Sequence, residues 1–248
     1  MIRNSWKLRP GNADLRRKTL TPHPVSLACA DCEVTIDLTR TAIIVVDMQN
    51  DFLTEGGWLH SIGVDVSGAA GAITTLDAGL PALRAAGVPV IWLNWGNRTD
   101  RANLPPGVLY VYDADGSGGG IGDRAGRSDA VLTQDSWGAA ITSELKPDDS
   151  DIAVDKFRMS GFFDTELDSV LRNLRVDTVL FAGVNADQCV YATLVDAACL
   201  GYDVIMLEDA VATTSPSFCM DATVYNIRQC YGFTAQLSAL VRRIEESS

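Results

Sequence analysis

The stretch TVLFAGVNADQCVYATLVDAACLGYDVIMLED, Thr178 to Asp209, decides the fold. Its opening run, Thr178–Val184, is short, apolar and β-branched and carries Gly183 near its end, the pattern of a buried strand. From Val190 to Gly201 small and apolar residues continue at helical spacing, and Gly201 is placed to end the helix. A second apolar run, Asp203–Asp209, follows. Strand, helix and strand in one short stretch predict parallel pairing. Cys189 falls at or near the first turn of this helix, just past the carboxyl end of a strand. Ligands bind along that rim in open α/β sheets. The unpaired N–H groups of a first turn also favour a thiolate.

Working outward, TAIIVVD (Thr41–Asp47) is the clearest buried strand. Residues 68–87 read as a helix and Val88–Asn94 as the next strand. The glycine-rich segment from Trp95 to Asp135 is too long for a connector and reads as an active-site excursion. A helix near Trp137–Leu145, a strand near Asp151–Val154 and a helix near Thr165–Leu174 lead back to Thr178. After Asp209 come a helix near Ser217–Tyr231, a strand at Phe233–Gln236 and a last helix, Ser238–Glu246, capped by Ser238. The prediction is a single doubly wound α/β domain with a mainly parallel six-stranded sheet and helices on both faces. Residues 1–38, with Pro10, Pro22 and Pro24 and little periodicity, read as an irregular N-terminal arm, and residues 39–248 as the domain proper.

A chain of 248 residues, 47% of them hydrophobic, can bury one large core. The net charge of −12 disfavours nucleic acid as a partner. No apolar run reaches membrane-spanning length, and the basic N-terminus lacks the apolar core of a signal peptide, so a cytoplasmic protein without a membrane partner is expected. The six cysteines then argue against a disulfide framework. Cys29 and Cys32 form a C-x-x-C without a second ligand pair or a following helix, which points to neither zinc nor redox chemistry. Cys199, Cys219 and Cys230 lie in apolar helical patterns and are expected in the core.

A nucleophilic cysteine needs help, because a free thiol is mostly protonated at neutral pH. The two histidines, His23 and His60, sit in the arm and in a turn-rich loop, so neither ends a strand. Two charged residues do: Asp47 closes AIIVVD, and Lys156 follows DIAVD. Both point at the rim that carries Cys189, giving a base, a cation and a nucleophile.

On these residues the chain resembles the isochorismatase-like cysteine hydrolases, across about residues 39 to 240. The motifs are IIVVDMQNDF (Ile43–Phe52), DKFRMSGFFDTELDSVLR (Asp155–Arg172), GVNADQCVYATLVDA (Gly183–Ala197) and VIMLEDAVAT (Val204–Thr213). The resemblance implies Asp47, Lys156 and Cys189 as catalytic residues. It also implies a cis peptide at Val184–Asn185 and an oxyanion hole from the backbone N–H groups of Asn185 and Cys189. Asn185 and Ala186 stand where alanine and threonine are commoner.

Nicotinamidases of this fold bind a metal after the second strand through aspartate and histidines. Here that region, NWGNRTDRANLPPG, has no histidine, so neither metal nor other cofactor is expected. The stretches GGWLHSIGVDVS, QDSWGAAITSEL and SGFFDTELDSVLR look most like the ureidoacrylate amidohydrolase and biuret hydrolase branch. The resemblance thus implies cleavage of a C–N bond in a small linear ureido or carbamoyl compound through a thioester, by a homodimer or homotetramer. Asn94, Trp95 and Gln188 are candidates to hydrogen-bond such a substrate, and Phe52, Trp137 and Phe162 to wall the pocket. The alternatives are amidase action on another small amide (an N-carbamoyl amino acid or a nicotinamide-like compound) or a catalytically silent binding protein.

Overall fold

The structure, a computed structural model, describes residues 4–30, 32–124 and 126–247. Two hairpins occupy the region that its prolines predict as irregular. β1 (Lys7–Arg9) and β2 (Asn12–Asp14) are short and largely exposed. β3 (Pro24–Ala28) and β4 (Glu33–Asp37) pair antiparallel, with Val25 opposite Ile36 and Leu27 opposite Val34. Strand alternation buries Val25, Leu27 and Ile36 and leaves their neighbours wetter, which lets this hairpin dock on the C-terminal helix.

From Thr41 strands and helices alternate. β5 (Thr41–Val46) leads to the short helices α1 (Asn50–Leu53) and α2 (Trp58–Ser61) and then to α3 (Ala70–Ala85). Then come β6 (Val90–Trp95), the excursion with α4 (Pro106–Tyr110), β7 (Ile152–Lys156), α5 (Leu167–Leu174) and β8 (Thr178–Gly183). The chain closes through α6 (Tyr191–Cys199), β9 (Asp203–Val211), α7 (Ser217–Asn226), β10 (Phe233–Ala235) and α8 (Leu237–Glu246). The core sheet has the order β10-β9-β8-β5-β6-β7, and every pair in it is parallel. Helices flank it; all residues of β5 and β8 are buried, as their unbroken apolar runs require.

The strand order reverses between β5 and β8, where an open α/β sheet leaves a crevice at its carboxyl edge. Val46 pairs with Gly183 there. Gly183 has φ 108°, and a Cβ at that position would strike the Val46 carbonyl oxygen. Only glycine lets β5 and β8 approach closely enough to bring their ends together.

Three local expectations need correction. Residues 137–145 form turns rather than a helix, because their backbone is committed to the loop after β5. Asn50 N–H donates to the Ala140 carbonyl at 2.9 Å, Asp51 N–H to Gly138 at 2.9 Å, and Thr142 N–H to Met48 at 3.0 Å. The cap of α8 is not Ser238 but Asp209, whose carboxylate accepts from the N–H groups of Leu237 (2.6 Å) and Ser238 (3.0 Å). Cys199 and Cys230 are exposed and Cys219 is half-buried, since the core faces of their segments are taken by Thr193, Leu194, Ala197, Thr223 and Ile227.

Candidate active site

Three strand ends deliver three side chains to one place. Asp47 follows β5 with a left-handed φ of 50°, and its N–H donates to the Leu93 carbonyl of β6 at 2.9 Å. This turns the carboxylate out of the strand direction and over the edge of the sheet. Lys156 is the last residue of β7. β8 passes through Gly183 and a cis Val184–Asn185 peptide into a single π-helical turn, Ala186–Val190, that carries Cys189 ahead of α6. Thr193 fixes this turn: its hydroxyl donates to the Cys189 carbonyl at 2.7 Å and accepts from Gly161 N–H at 3.1 Å.

Lys156 Nζ lies 2.8 Å from Asp47 Oδ2, and neither side chain reaches solvent. The ammonium also donates to the Arg158 carbonyl at 3.3 Å and rests 4.3 Å above the Trp95 ring. Burial drags the Lys156 ammonium down, but Asp47, through its charge, and the neighbouring Cys189 outweigh it and hold the group above its ordinary value. Burial pushes the Asp47 carboxyl up, and Lys156 pulls it only part of the way back. Asp47 is thus a carboxylate readied to take a proton beside a cation that keeps its own.

Cys189 is buried, and its thiol donates to the Met159 thioether at 3.7 Å. Burial pushes that thiol up to about 12; Lys156 pulls it down, and the Asp47 charge works in the same direction as burial. The helix-terminus argument for a resting thiolate is therefore overturned by desolvation. Burial thus favours the protonated form of the thiol.

Asn185 and Ala186 hold the turn in their own way. The Asn185 Oδ1 accepts from Thr214 N–H at 3.2 Å, and Ala186 N–H donates to the Ala212 carbonyl at 2.9 Å. A side-chain amide thereby ties the Cys189 turn to the loop after β9. Gln188 Nε2 reinforces this by donating to Ser215 Oγ at 3.3 Å.

The other candidate pocket residues divide. Trp95 packs under Lys156, its Nε1 donating to Asn97 at 2.6 Å, and Gln188 precedes Cys189. Asn94, the penultimate residue of β6, has its Oδ1 buried and unpartnered. Phe52 meets Trp58 edge-on at 6.1 Å. Phe162 packs against Tyr202 at 6.1 Å, and half-exposed Trp137 is held by its carbonyl, which accepts from Asn50 Nδ2 at 2.8 Å. Of the histidines, His23 lies at the β3 hairpin and His60 in α2, where its Nδ1 accepts from Gly56 N–H at 3.3 Å.

Other residues join the site: Gln49 and Asp51 from the Asp47 motif, Met159 from the Lys156 motif, and Tyr112 from the excursion, where no motif announces it. Gln49 clamps the end of β6: its Oε1 accepts from Trp95 N–H (2.8 Å) while its Nε2 donates to the carbonyls of Trp95 (2.8 Å) and Ala139 (2.6 Å). Asp51 fastens the excursion, accepting from Trp58 N–H at 3.1 Å and Leu132 N–H at 2.9 Å and pairing with Arg127 at 2.5 Å. Met159 and Tyr112 reach Cys189 and its neighbour Gln188 from segments distant in sequence. A cleft of 430 Å³ on the excursion, lined by Arg101, Arg124 and Thr133 among others, contains none of Asp47, Lys156 and Cys189. The Asp47–Lys156 pair is buried apart from that cleft. Among the described residues no three His, Cys, Asp or Glu side chains are grouped to hold a metal ion.

Comparison with known proteins agrees with this architecture. The isochorismatase domain matches residues 41–238. The ureidoacrylate amidohydrolase RutB of Rhizobium rhizogenes is 35% identical over 224 residues, covering 90% of this chain and 91% of that protein. RutB of Agrobacterium fabrum is 38% identical over 205 residues, covering 83% and 90%. The crystal structure of a cysteine hydrolase from Pseudomonas syringae pv. phaseolicola superposes with a TM-score of 0.72 at 28% identity, covering 86% and 96%. The doubly wound sheet and its rim are those of the isochorismatase fold, and the chain belongs to the isochorismatase domain family. Within it, the protein is an enzyme, an amidohydrolase that acts on C–N bonds other than peptide bonds.

Proposed function

We propose that this amidohydrolase uses Cys189 to cleave a C–N bond in a small linear ureido or carbamoyl compound, of ureidoacrylate or biuret type, through a thioester. The observation that carries the proposal is the buried Asp47–Lys156 pair acting on the protonated Cys189 thiol. The RutB relatives supply the substrate class.

Asp47 takes the Cys189 proton as Sγ bonds to the substrate carbonyl carbon. Substrate contact draws the thiol off Met159, and the raised Asp47 carboxyl matches the proton it must hold. Lys156 stays protonated and offsets the charge that develops on sulfur. The carbonyl oxygen becomes an oxyanion facing the N–H groups of Asn185 and Cys189. Asp47 then passes its proton to the leaving nitrogen, the C–N bond breaks, and a thioester remains. Water, losing a proton to Asp47, attacks the thioester; the C–S bond breaks and the thiol regains its proton. No metal or cofactor has a part in this scheme. Asn94, Trp95 and Gln188 contact the polar substrate, with Phe52, Trp137 and Phe162 as walls.

Assembly as a homodimer or homotetramer belongs to the same proposal. It is supported by Phe218 and Tyr225, which are 67% and 65% exposed on α7, the helix packed beside the nucleophile's turn. Residence in the cytoplasm is supported by six free thiols, which suit a reducing compartment.

The test is ammonia release from a panel of ureidoacrylate, biuret, an N-carbamoyl amino acid and nicotinamide. Turnover of one or more ureido compounds is expected. Good turnover of nicotinamide with none of the ureido compounds would move the substrate class elsewhere.

A further inference from the structure

The Gln188 amide joins three segments far apart in sequence, one residue ahead of the nucleophile. Its Oε1 accepts from the Tyr112 hydroxyl at 3.2 Å, with Asn185 Nδ2 at 3.4 Å, and its Nε2 donates to Ser215. Tyr112 comes from the excursion, two residues past α4. It is braced from behind by Trp58, whose ring meets it edge-on at 5.0 Å. Trp58 is wholly buried and donates its Nε1–H to the Gly119 carbonyl at 2.8 Å, so the brace is rigid. Tyr112 has a left-handed φ of 67°, uncommon for an aromatic residue, and such departures gather at functional sites. Burial, the largest cause, holds the phenol above its ordinary range, so it remains a hydrogen-bond donor at working pH. Tyr112 keeps 42% of its surface exposed, so its hydroxyl can change partners without the fold opening.

We propose that Tyr112 determines substrate specificity by exchanging its hydrogen bond. In the free enzyme its hydroxyl occupies Gln188 Oε1. When substrate binds, a ureido N–H donates to Gln188 Oε1 in its place, and the released hydroxyl donates to an acceptor oxygen at the substrate's far end, a carbonyl or a carboxylate. The excursion thus reads the end of the molecule that does not react. The scheme rests on the ureido reading above, and it selects ureas that carry a distal oxygen over alkylureas that lack one.

The experiment compares wild type with Tyr112→Phe on biuret, N-carbamoyl-β-alanine and N-propylurea. Turnover is measured together with protection of Cys189 from iodoacetamide, so that a urea that is bound but not hydrolysed still reports its affinity. Tyr112→Phe keeps the ring on Trp58, and its thermal unfolding should match wild type. Wild type should favour the better of the two oxygen-bearing ureas over propylurea. Tyr112→Phe should weaken that urea about tenfold or more, in KM and in protection with kcat nearly unchanged, while propylurea, freed of the competing hydroxyl, should bind as well as before or tighter. Equal effects on all three ureas, or none on any, would overturn the role of Tyr112 while leaving the ureido reading intact. A wild type that neither hydrolyses nor is protected by any ureido compound would overturn both.

Discussion

Lys156 Nζ and Asp47 Oδ2 meet at 2.8 Å from the ends of β7 and β5, two strands separated in the sheet by β6, with no solvent at either side chain. An ion pair so placed costs much in desolvation, and removing one member strands the other charge. Lys156→Ala should therefore lose about 3–5 kcal/mol in urea unfolding as well as nearly all activity. Lys156→Met, neutral and similar in length, should be inactive whatever its stability. Activity near wild type in either variant would separate the pair from the chemistry.

Burial, which sets the Cys189 thiol at about 12, makes its alkylation by iodoacetamide strongly pH-dependent. The folded value lies above the unfolded value of about 8.5, so folding favours the neutral thiol. That stabilisation is full below the unfolded value and is lost as pH rises toward 12. Site-resolved mass spectrometry should find the exposed Cys32, Cys199 and Cys230 modified at pH 8 while Cys189 lags. Its rate should keep rising about tenfold per pH unit past pH 10, as the thiolate fraction does below its pKa. A plateau near pH 7 in the free enzyme would show a resting thiolate instead.

Asp51 holds α1, α2 and the excursion together through Trp58, Leu132 and Arg127. Asp51→Ala leaves the Arg127 guanidinium and two N–H groups without their acceptor, a loss of about 3 kcal/mol. Trypsin should then cut at Arg124 or Arg127 faster than in wild type. Unchanged proteolysis would mean that other contacts hold the excursion down.

The sheet was legible because its strands are unbroken apolar, β-branched runs, and the cluster because Asp47, Lys156 and Cys189 each stand at or just beyond such a run. The β3–β4 hairpin was hidden by its prolines, and its partner α8 lies at the other end of the chain. Residues 137–145 carry helix-forming side chains, but their backbone hydrogen bonds go to Met48, Asn50 and Asp51, a pairing set by tertiary structure alone. Met159 and Tyr112 touch the Cys189 region from Phe157–Ser160 and the excursion, where spacing carries no information about contact. The state of the thiol depends on burial, which the helix-terminus argument does not weigh.

The most direct measurement is mass spectrometry of enzyme quenched during turnover of a ureido substrate. The account predicts an added acyl or carbamoyl mass on the peptide that carries Cys189, and none on the same peptide of Cys189→Ala, which should fold normally and be inactive. Near-wild-type turnover by Cys189→Ala would contradict it.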